Sequence, residues 1–273
     1  MERARDITYA KDDDIKYSIC TFVTDYRQYK EMMDSLVSHG FSYDDCEYLY
    51  IDNAAGNVYG AFAGINKFLT TAKGKYIIIC HQDILLLSDG RDKLDSVLEE
   101  LTRLDPQWGV CGNAGGIYPG RLALRLTDPY GDGQSTELLP AKVSGLDENF
   151  LLVRREANLA VSRDIDGFHL YGTDLCLVAQ FLGYSAYVVD FHLRHLSTGP
   201  KGSSYQTIRS ALIDKHSRAL RPRMVTTTTT VVYLGGPRAL RSLLNSRIGL
   251  GIARRIGRFA ASFRRRPETV NQA

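Results

Sequence analysis

The chain has 273 residues, 44% apolar and 24% charged, enough to bury a full core in one domain with an appendage. No run approaches about 18 consecutive apolar residues, which argues against a transmembrane helix, and residues 1–16 are charged with no secretory segment. The net charge of +3 hides a division, with 21 Lys+Arg against 30 Asp+Glu in residues 1–214 and 13 against the single Glu268 in residues 215–273; such asymmetry is a partner signal.

Residues 17–23 are expected to form the first strand. The residues after it, Thr24-Asp25-Tyr26-Arg27, contain no glycine. That argues against a dinucleotide fingerprint or a Walker loop, where glycines let backbone N–H groups reach phosphates. A helix through 29–37, a strand at 47–53 and a helix at 59–72 closed by Gly74 follow. Residues 75–80 are almost continuously apolar and predict a central strand buried on both faces. This strand runs into His81-Gln82-Asp83 and then the apolar 84–87. A carboxylate there projects from the strand-end edge of an open α/β sheet, where metals and nucleotides bind. The alternation of strand and helix predicts a parallel, doubly wound sheet.

Residues 92–104 are amphipathic and precede a strand at 108–111. The small residues of 112–117 suit either a close approach of ligand or backbone, or a plain turn. Pro119, Gly120, Asp128-Pro129, Gly131 and Gly133 make 118–145 read as an irregular active-site or acceptor loop. Residues 143–153 return to strand character, 170–182 read as a helix stopped by Gly183, and 185–191 as a strand before 192–195. Cys20, Cys46, Cys80, Cys111 and Cys176 are odd in number and lack metal-ligand spacing, so they read as buried free thiols in a reducing compartment.

Asn66, Ala72 and Gly74, leading into a strand that ends His81-Gln82-Asp83, resemble the central motif of family 2 glycosyltransferases with the GT-A fold. In that family an Asn-x-Gly helix and an Ala-x-Gly turn precede a strand ending in Asp-x-Asp. Residues 167–175, Gly-Phe-His-Leu-Tyr-Gly-Thr-Asp-Leu, resemble its Glu-Asp motif. Gly183-Tyr184 and His195 complete its order of Gly-Tyr turn, strand and histidine. The likeness spans residues 17–199. Two positions depart: His81 stands for the first acid of Asp-x-Asp, as in a divergent bacterial branch, and Thr173 for the Glu of Glu-Asp.

The resemblance implies an α/β GT-A fold (the nucleotide-diphospho-sugar transferase fold), with a mostly parallel central sheet flanked by helices, over residues 16–214. Residues 1–15 form an N-terminal segment. The implied activity is inverting transfer of a sugar from a UDP-, GDP- or dTDP-linked donor to a saccharide or lipid-linked acceptor, with Mn2+ or Mg2+. Asp83 is the expected metal ligand, since these ions favour oxygen donors. His195 is the expected second ligand, because Mn2+ accepts imidazole; a histidine capping a strand edge is the alternative, and His192 is a lesser candidate. His81 contacts ribose or metal, or is satisfied by backbone. Asp174 is the expected general base, or the cap of a helix starting at Leu175. Asp52 binds base or ribose, or forms a strand-end turn. Thr21 and Thr24 lie where the first strand meets the nucleoside, and Asn66 and Gln82 complete the nucleotide-binding set. Asp147 and Asp166 receive no role.

The basic extension 215–273 places Ile248, Ile252, Ile256, Phe259 and Phe263 on one helical face, with Arg247, Arg254, Arg258 and Arg265 opposite. This is the pattern of a helix lying on anionic lipid through residues 238–266, although Gly249, Gly251 and Gly257 weaken helix propensity. A helix packed on the body or a disordered tail is the plain alternative. Basic charge also suits nucleic acid, but no nucleic-acid module accompanies it. Residues 226–234 read as one further strand, with low complexity as the alternative. The expectation is a cytoplasmic enzyme, peripheral at the inner face of the cell membrane, acting in envelope polysaccharide synthesis. Two other readings compete: a sugar-nucleotide pyrophosphorylase, whose Gly-rich basic loop is missing here, and a non-catalytic GT-A-like nucleotide or saccharide binder, which His81 and Thr173 keep open.

Overall fold

The computed structural model describes residues 14–197, 203–226 and 231–264. The chain divides into two compact units, Met1–Leu212 and Ile213–Ala273. In the first, β1 (Tyr17–Val23), α1 (Tyr26–Ser38), β2 (Cys46–Asp52), α2 (Ala61–Thr71) and β3 (Tyr76–Cys80) alternate as the sequence predicts. Asp25 starts α1 by accepting the backbone N–H of Arg27 and Gln28 at 2.8 and 3.2 Å, the preferred N-cap arrangement. Gly74 has a packing reason. A Cβ there would lie 2.5 Å from the Ser18 backbone nitrogen, so glycine lets the chain enter β3 hard against β1.

The chain continues through β4 (Ile84–Leu86), α3 (Arg91–Leu104), β5 (Trp108–Gly112), β6 (Ala114–Ile117), β7 (Arg121–Asp128), β8 (Gly131–Ser135), β9 (Ala141–Val143), β10 (Gly145–Leu146) and β11 (Phe150–Arg154). It then forms α4 (Tyr171–Phe181), β12 (Ser185–Val188), β13 (Leu193–His195) and α5 (Ser203–Ala219). The central sheet has the order β2-β1-β3-β11-β5-β12-β9, with β11 and β9 running against the others. Its faces carry separate cores. Tyr76, Ile78 and Cys80 of β3 pack in one, and Ile77 and Ile79 in the other. An unbroken apolar strand is what two buried faces require. All five cysteines are buried and free.

Residues 118–145 are not the irregular loop expected from their prolines and glycines. They supply β7, β8 and β9 and help build a second sheet, β10-β6-β7-β13-β4, in which β8 also pairs with β7. Residues 121–128 carry the strand signal, with Ala123 and Leu126 buried. The Asp128-Pro129 segment is the hairpin turn, its carboxylate accepting the N–H groups of Tyr130 and Gly131. The small residues of β6 serve close backbone approach: a Cβ on Gly115 would stand 2.7 Å from the Gly145 carbonyl oxygen. The apolar 84–87 segment leaves the central sheet, and β4 pairs with β13 instead.

In the second unit β14 (Arg223–Thr226) and β15 (Val231–Leu234) form an antiparallel pair, followed by α6 (Arg238–Leu244) and α7 (Arg247–Arg264). The single strand expected over 226–234 is thus two strands, with 227–230 outside the described residues. Asn245 bonds both backbone groups of Tyr233, its Oδ1 accepting at 2.7 Å and its Nδ2 donating at 2.9 Å, which ties the end of α6 to β15. Despite its glycines, α7 is a continuous helix. Among the described residues no helix is long and apolar enough to cross a membrane.

Candidate active site

Residues 81–83 occupy the turn at the C-terminal end of β3. The His81 N–H donates to Asn149 O at 3.0 Å, the last rung between β3 and the start of β11. The chain then reverses into β4, whose register with β13 sets His195 opposite Ile84, and Leu196 N donates to Asp83 O at 3.0 Å. That pairing carries His195 onto a carboxylate 112 positions earlier in the chain. Three donor atoms converge: His81 Nδ1 to His195 Nε2 is 3.2 Å, His195 Nε2 to Asp83 Oδ1 is 3.4 Å, and His81 Nδ1 to Asp83 Oδ1 is 3.9 Å. Among the described residues this is the His/Asp cluster able to hold a metal ion.

The electrostatics follow from the packing. Burial raises the Asp83 carboxyl, but hydrogen bonds from His195 and Ser197 and the charges of His195 and His81 outweigh it and hold the group at about 2. Burial, and then neighbouring His195, push His81 below the ordinary histidine range. Asp83 is therefore an anion and His81 favours the neutral ring, the states in which both groups ligate cations. Ligands roughly 2.1 Å from a common centre stand about 3.0 Å apart in an octahedron and about 3.4 Å apart in a tetrahedron. The observed triangle fits a cation with little adjustment.

His192, the lesser candidate, is engaged elsewhere: its Nε2 lies 2.9 Å from Thr127 Oγ1 and its backbone N–H donates to Asp89 Oδ2. Asp52, exposed at the end of β2, accepts the Tyr26 hydroxyl at 2.7 Å and Ala54 N at 2.9 Å. Tyr26 is itself half exposed. Together they form a polar shelf beside the β1 end of the sheet.

Three residues expected at the nucleotide bond to neighbouring protein groups. Thr21 is fully buried with its hydroxyl against Cys80 Sγ at 3.6 Å. Asn66 pairs both ways with the Val161 backbone at 3.0 Å, which fastens α2 to the segment ahead of α4. Gln82 Oε1 accepts Thr24 N and Asp25 N at 2.8 and 3.0 Å, and its Nε2 donates to Thr24 Oγ1 and Gln28 Oε1. With its amide consumed this way, Gln82 clamps the turn after β1 to the His81–Asp83 turn, and Thr24, though exposed, is its partner.

Asp174 also differs from expectation. The helix starts at Tyr171, with Leu170 at its cap, so Asp174 sits in the first turn rather than before it. Its carboxylate is fully buried and accepts Ser162 N at 2.6 Å and Ser162 Oγ at 2.8 Å. Tyr171 is a site residue that the sequence reading passed over. Its hydroxyl is 3.1 Å from His81 Nε2 and donates to Glu148 O at 3.4 Å. The signal available was an aromatic directly before the Gly172-Thr173-Asp174 segment.

The fold defines the class: this is a GT-A-type architecture. A solved mannosyltransferase, PcManGT from Pyrobaculum calidifontis in complex with GDP-Man and Mn2+, superposes with a TM-score of 0.51 at 13% identity, covering 74% of this chain and 64% of that one. The chain thus spans less than two thirds of that structure. TarS from S. aureus aligns over 74% of this chain and 65% of its own 1–349 fragment at 10% identity, with a TM-score of 0.45. No protein-family model matches. The chain belongs to the family of the protein called ATP synthase subunits region ORF 6 of Fuscovulum blasticum, to which it is 37% identical over 238 residues, 84% of this chain and 96% of that one.

Proposed function

We propose that this protein is a metal-dependent glycosyltransferase that moves a sugar from a nucleotide-sugar donor to a saccharide or lipid-linked acceptor. The observation carrying this reading is the convergence of His81, Asp83 and His195 at the end of β3 in a GT-A-type sheet. Those three side chains would hold the divalent cation, Mn2+ being the better fit. When bound, the ion supplies Lewis-acid stabilisation of the negative charge that develops on the departing diphosphate.

In this reading the exposed Asp52 and Tyr26 receive the ribose or base. Gln82 keeps the two turns that flank the donor in register. The base is Asp174, which lies in the first turn of α4 with its carboxylate accepting from Ser162 N and Oγ. Its closure against Ser162 requires the 158–170 segment to open before an acceptor hydroxyl can reach it. In-line attack by that hydroxyl would invert the anomeric carbon.

The second unit supports placement at a lipid surface. Ile248, Ile252, Ile256 and Phe259 stand between 54% and 76% exposed along α7, and no acidic residue occurs between Lys215 and Pro267. An exposed apolar face in a cationic segment is complementary to anionic lipid. The side chains of Arg254, Arg258 and Phe263, and residues 265 and 266, lie outside the described residues. A cytoplasmic enzyme working on a membrane-linked envelope saccharide fits both units.

The test is a thermal-shift panel of UDP, GDP, CDP and dTDP with and without Mn2+, on the wild type and Asp83→Ala. A ligand at 100 times its Kd stabilises by about 2.7 kcal/mol. A shift that needs both Mn2+ and Asp83 is expected for one nucleotide. No shift with any nucleotide would favour the non-catalytic binder instead.

A further inference from the structure

We infer that His81 is itself a metal ligand through Nδ1, and that the resulting two-imidazole, one-carboxylate set selects cations that take nitrogen donors over Mg2+. This rests on the metal site proposed above and deepens it. The first observation is the orientation of His81. The Tyr171 hydroxyl donates to the Glu148 carbonyl, which leaves its oxygen lone pairs free to accept from His81 Nε2 at 3.1 Å. A chain of this direction puts the His81 proton on Nε2. Nδ1 is then bare, and its lone pair faces His195 Nε2 and Asp83 Oδ1. A hydrogen bond to the remote ring nitrogen is how proteins fix the tautomer and direction of a ligating imidazole.

The second observation is crowding. Two imidazole nitrogens 3.2 Å apart, with a carboxylate oxygen within 3.9 Å of both, form a triangle of donor atoms. Each of the three residues offers one ligand atom, so nitrogen outnumbers oxygen two to one. Mg2+ demands near-ideal octahedral oxygen coordination and gives up water reluctantly. Imidazole suits Zn2+, Fe2+ and Co2+, and the affinity order for such sites rises from Mn2+ through Fe2+ to Co2+. Replacing an acid by His81 therefore removes the donor that Mg2+ needs and adds one that the transition metals prefer. Tyr171 is a positioning residue in this scheme, acting on the ion only through His81.

The experiment is calorimetric titration of the metal-free full chain with Mg2+, Mn2+, Co2+ and Zn2+, alongside pulsed EPR of the Mn2+ form. Expected are affinities ordered Co2+ and Zn2+ above Mn2+, with Mg2+ weaker than Mn2+ by at least about tenfold, and two imidazole nitrogen couplings in the EPR spectrum. H81D should lose one nitrogen coupling and bring Mg2+ close to Mn2+. Y171F keeps all three ligands and should weaken Mn2+ by about 10- to 100-fold; it serves if H81D does not fold. Equal affinity for Mg2+ and Mn2+, or a single nitrogen coupling in the wild type, would overturn the inference while leaving the metal site intact. No binding of any cation would sink both it and the metal-dependent reading.

Discussion

The two units of this chain handle apolar surface in opposite ways. In the first, β3 places Ile77, Ile78 and Ile79 at 2% exposure or less and divides them between two cores. In the second, α7 leaves three isoleucines and a phenylalanine more than half exposed. The first pattern is that of a packed interior; the second is that of an exposed apolar face. Polar groups divide similarly. Asp83 and Asp174 are buried and held by named partners, whereas no acidic residue occurs between Lys215 and Pro267. The His81, Asp83 and His195 cluster thus lies in the unit whose side chains are buried and paired, and the exposed apolar face in that acid-free segment.

The sharpest way to break this contrast is at Asp174. Asp174→Asn should lower transfer by about 10²- to 10⁴-fold if it is the base, read as kcat with donor affinity unchanged. Ser162→Ala, which removes the hydroxyl that donates to Asp174 Oδ1, should lower stability while sparing most activity. Equal losses of stability and activity in both variants would make Asp174 a structural anchor only.

Core substitution comes next. Ile78→Ala should destabilise the first unit by about 2–5 kcal/mol through lost burial and the cavity it leaves, measured by urea unfolding. Ile252→Ala on α7 should stay within about 0.5 kcal/mol, as exposed substitutions do. A comparable cost at both positions would mean that the α7 face is covered.

That exposed face should instead show itself on vesicles. Ile252→Ser with Ile256→Ser should weaken sedimentation with anionic vesicles, each fully buried side chain being worth about 1.5–3 kcal/mol. Raised salt should weaken it further, since basic residues near a charged surface contribute about 1 kcal/mol each at physiological ionic strength. Neutral vesicles binding as well as anionic ones would remove the charge argument.

The smallest effect concerns the first unit's surface. The hydrogen-bonded Arg91 guanidinium outweighs partial burial and holds the Asp45 carboxyl below its usual range. A depressed carboxylate stabilises the fold above its unfolded pKa and loses that contribution as pH falls through the lower folded value. Stability should therefore decline below about pH 4, and Asp45→Asn should flatten that part of the profile. An unchanged acid limb in Asp45→Asn would assign the decline to other carboxylates.

Much of the fold was legible in the chain because its first half alternates strand and helix signals cleanly. Residues 75–80 could be read as a doubly buried strand from apolar continuity alone, and Gly183 as a helix stop, which the structure bears out with φ +91° at that glycine. The second sheet was not legible. Its strands are short and flanked by Pro119, Pro129 and Gly133, so local turn chemistry masked the alternation in 121–128. The binding residues divided along a similar line. Residue type marked Asp83 and His195 as able to ligate, but not that Thr21, Asn66 and Gln82 would have their polar atoms consumed by Cys80, Val161 and Thr24.

By itself, then, the sequence determined the α/β alternation, the buried central strand, the candidate ligands and the basic, acid-free extension, because these depend on composition and on neighbours a few residues apart. Only the tertiary structure decided which candidates meet. The β4–β13 register lays His195 over Asp83, and the packing of α4 brings the Tyr171 hydroxyl to His81 Nε2. These contacts join residues 112 and 90 positions apart. No local propensity encodes such a pairing; it follows from sheet register and helix docking, which the whole core selects together.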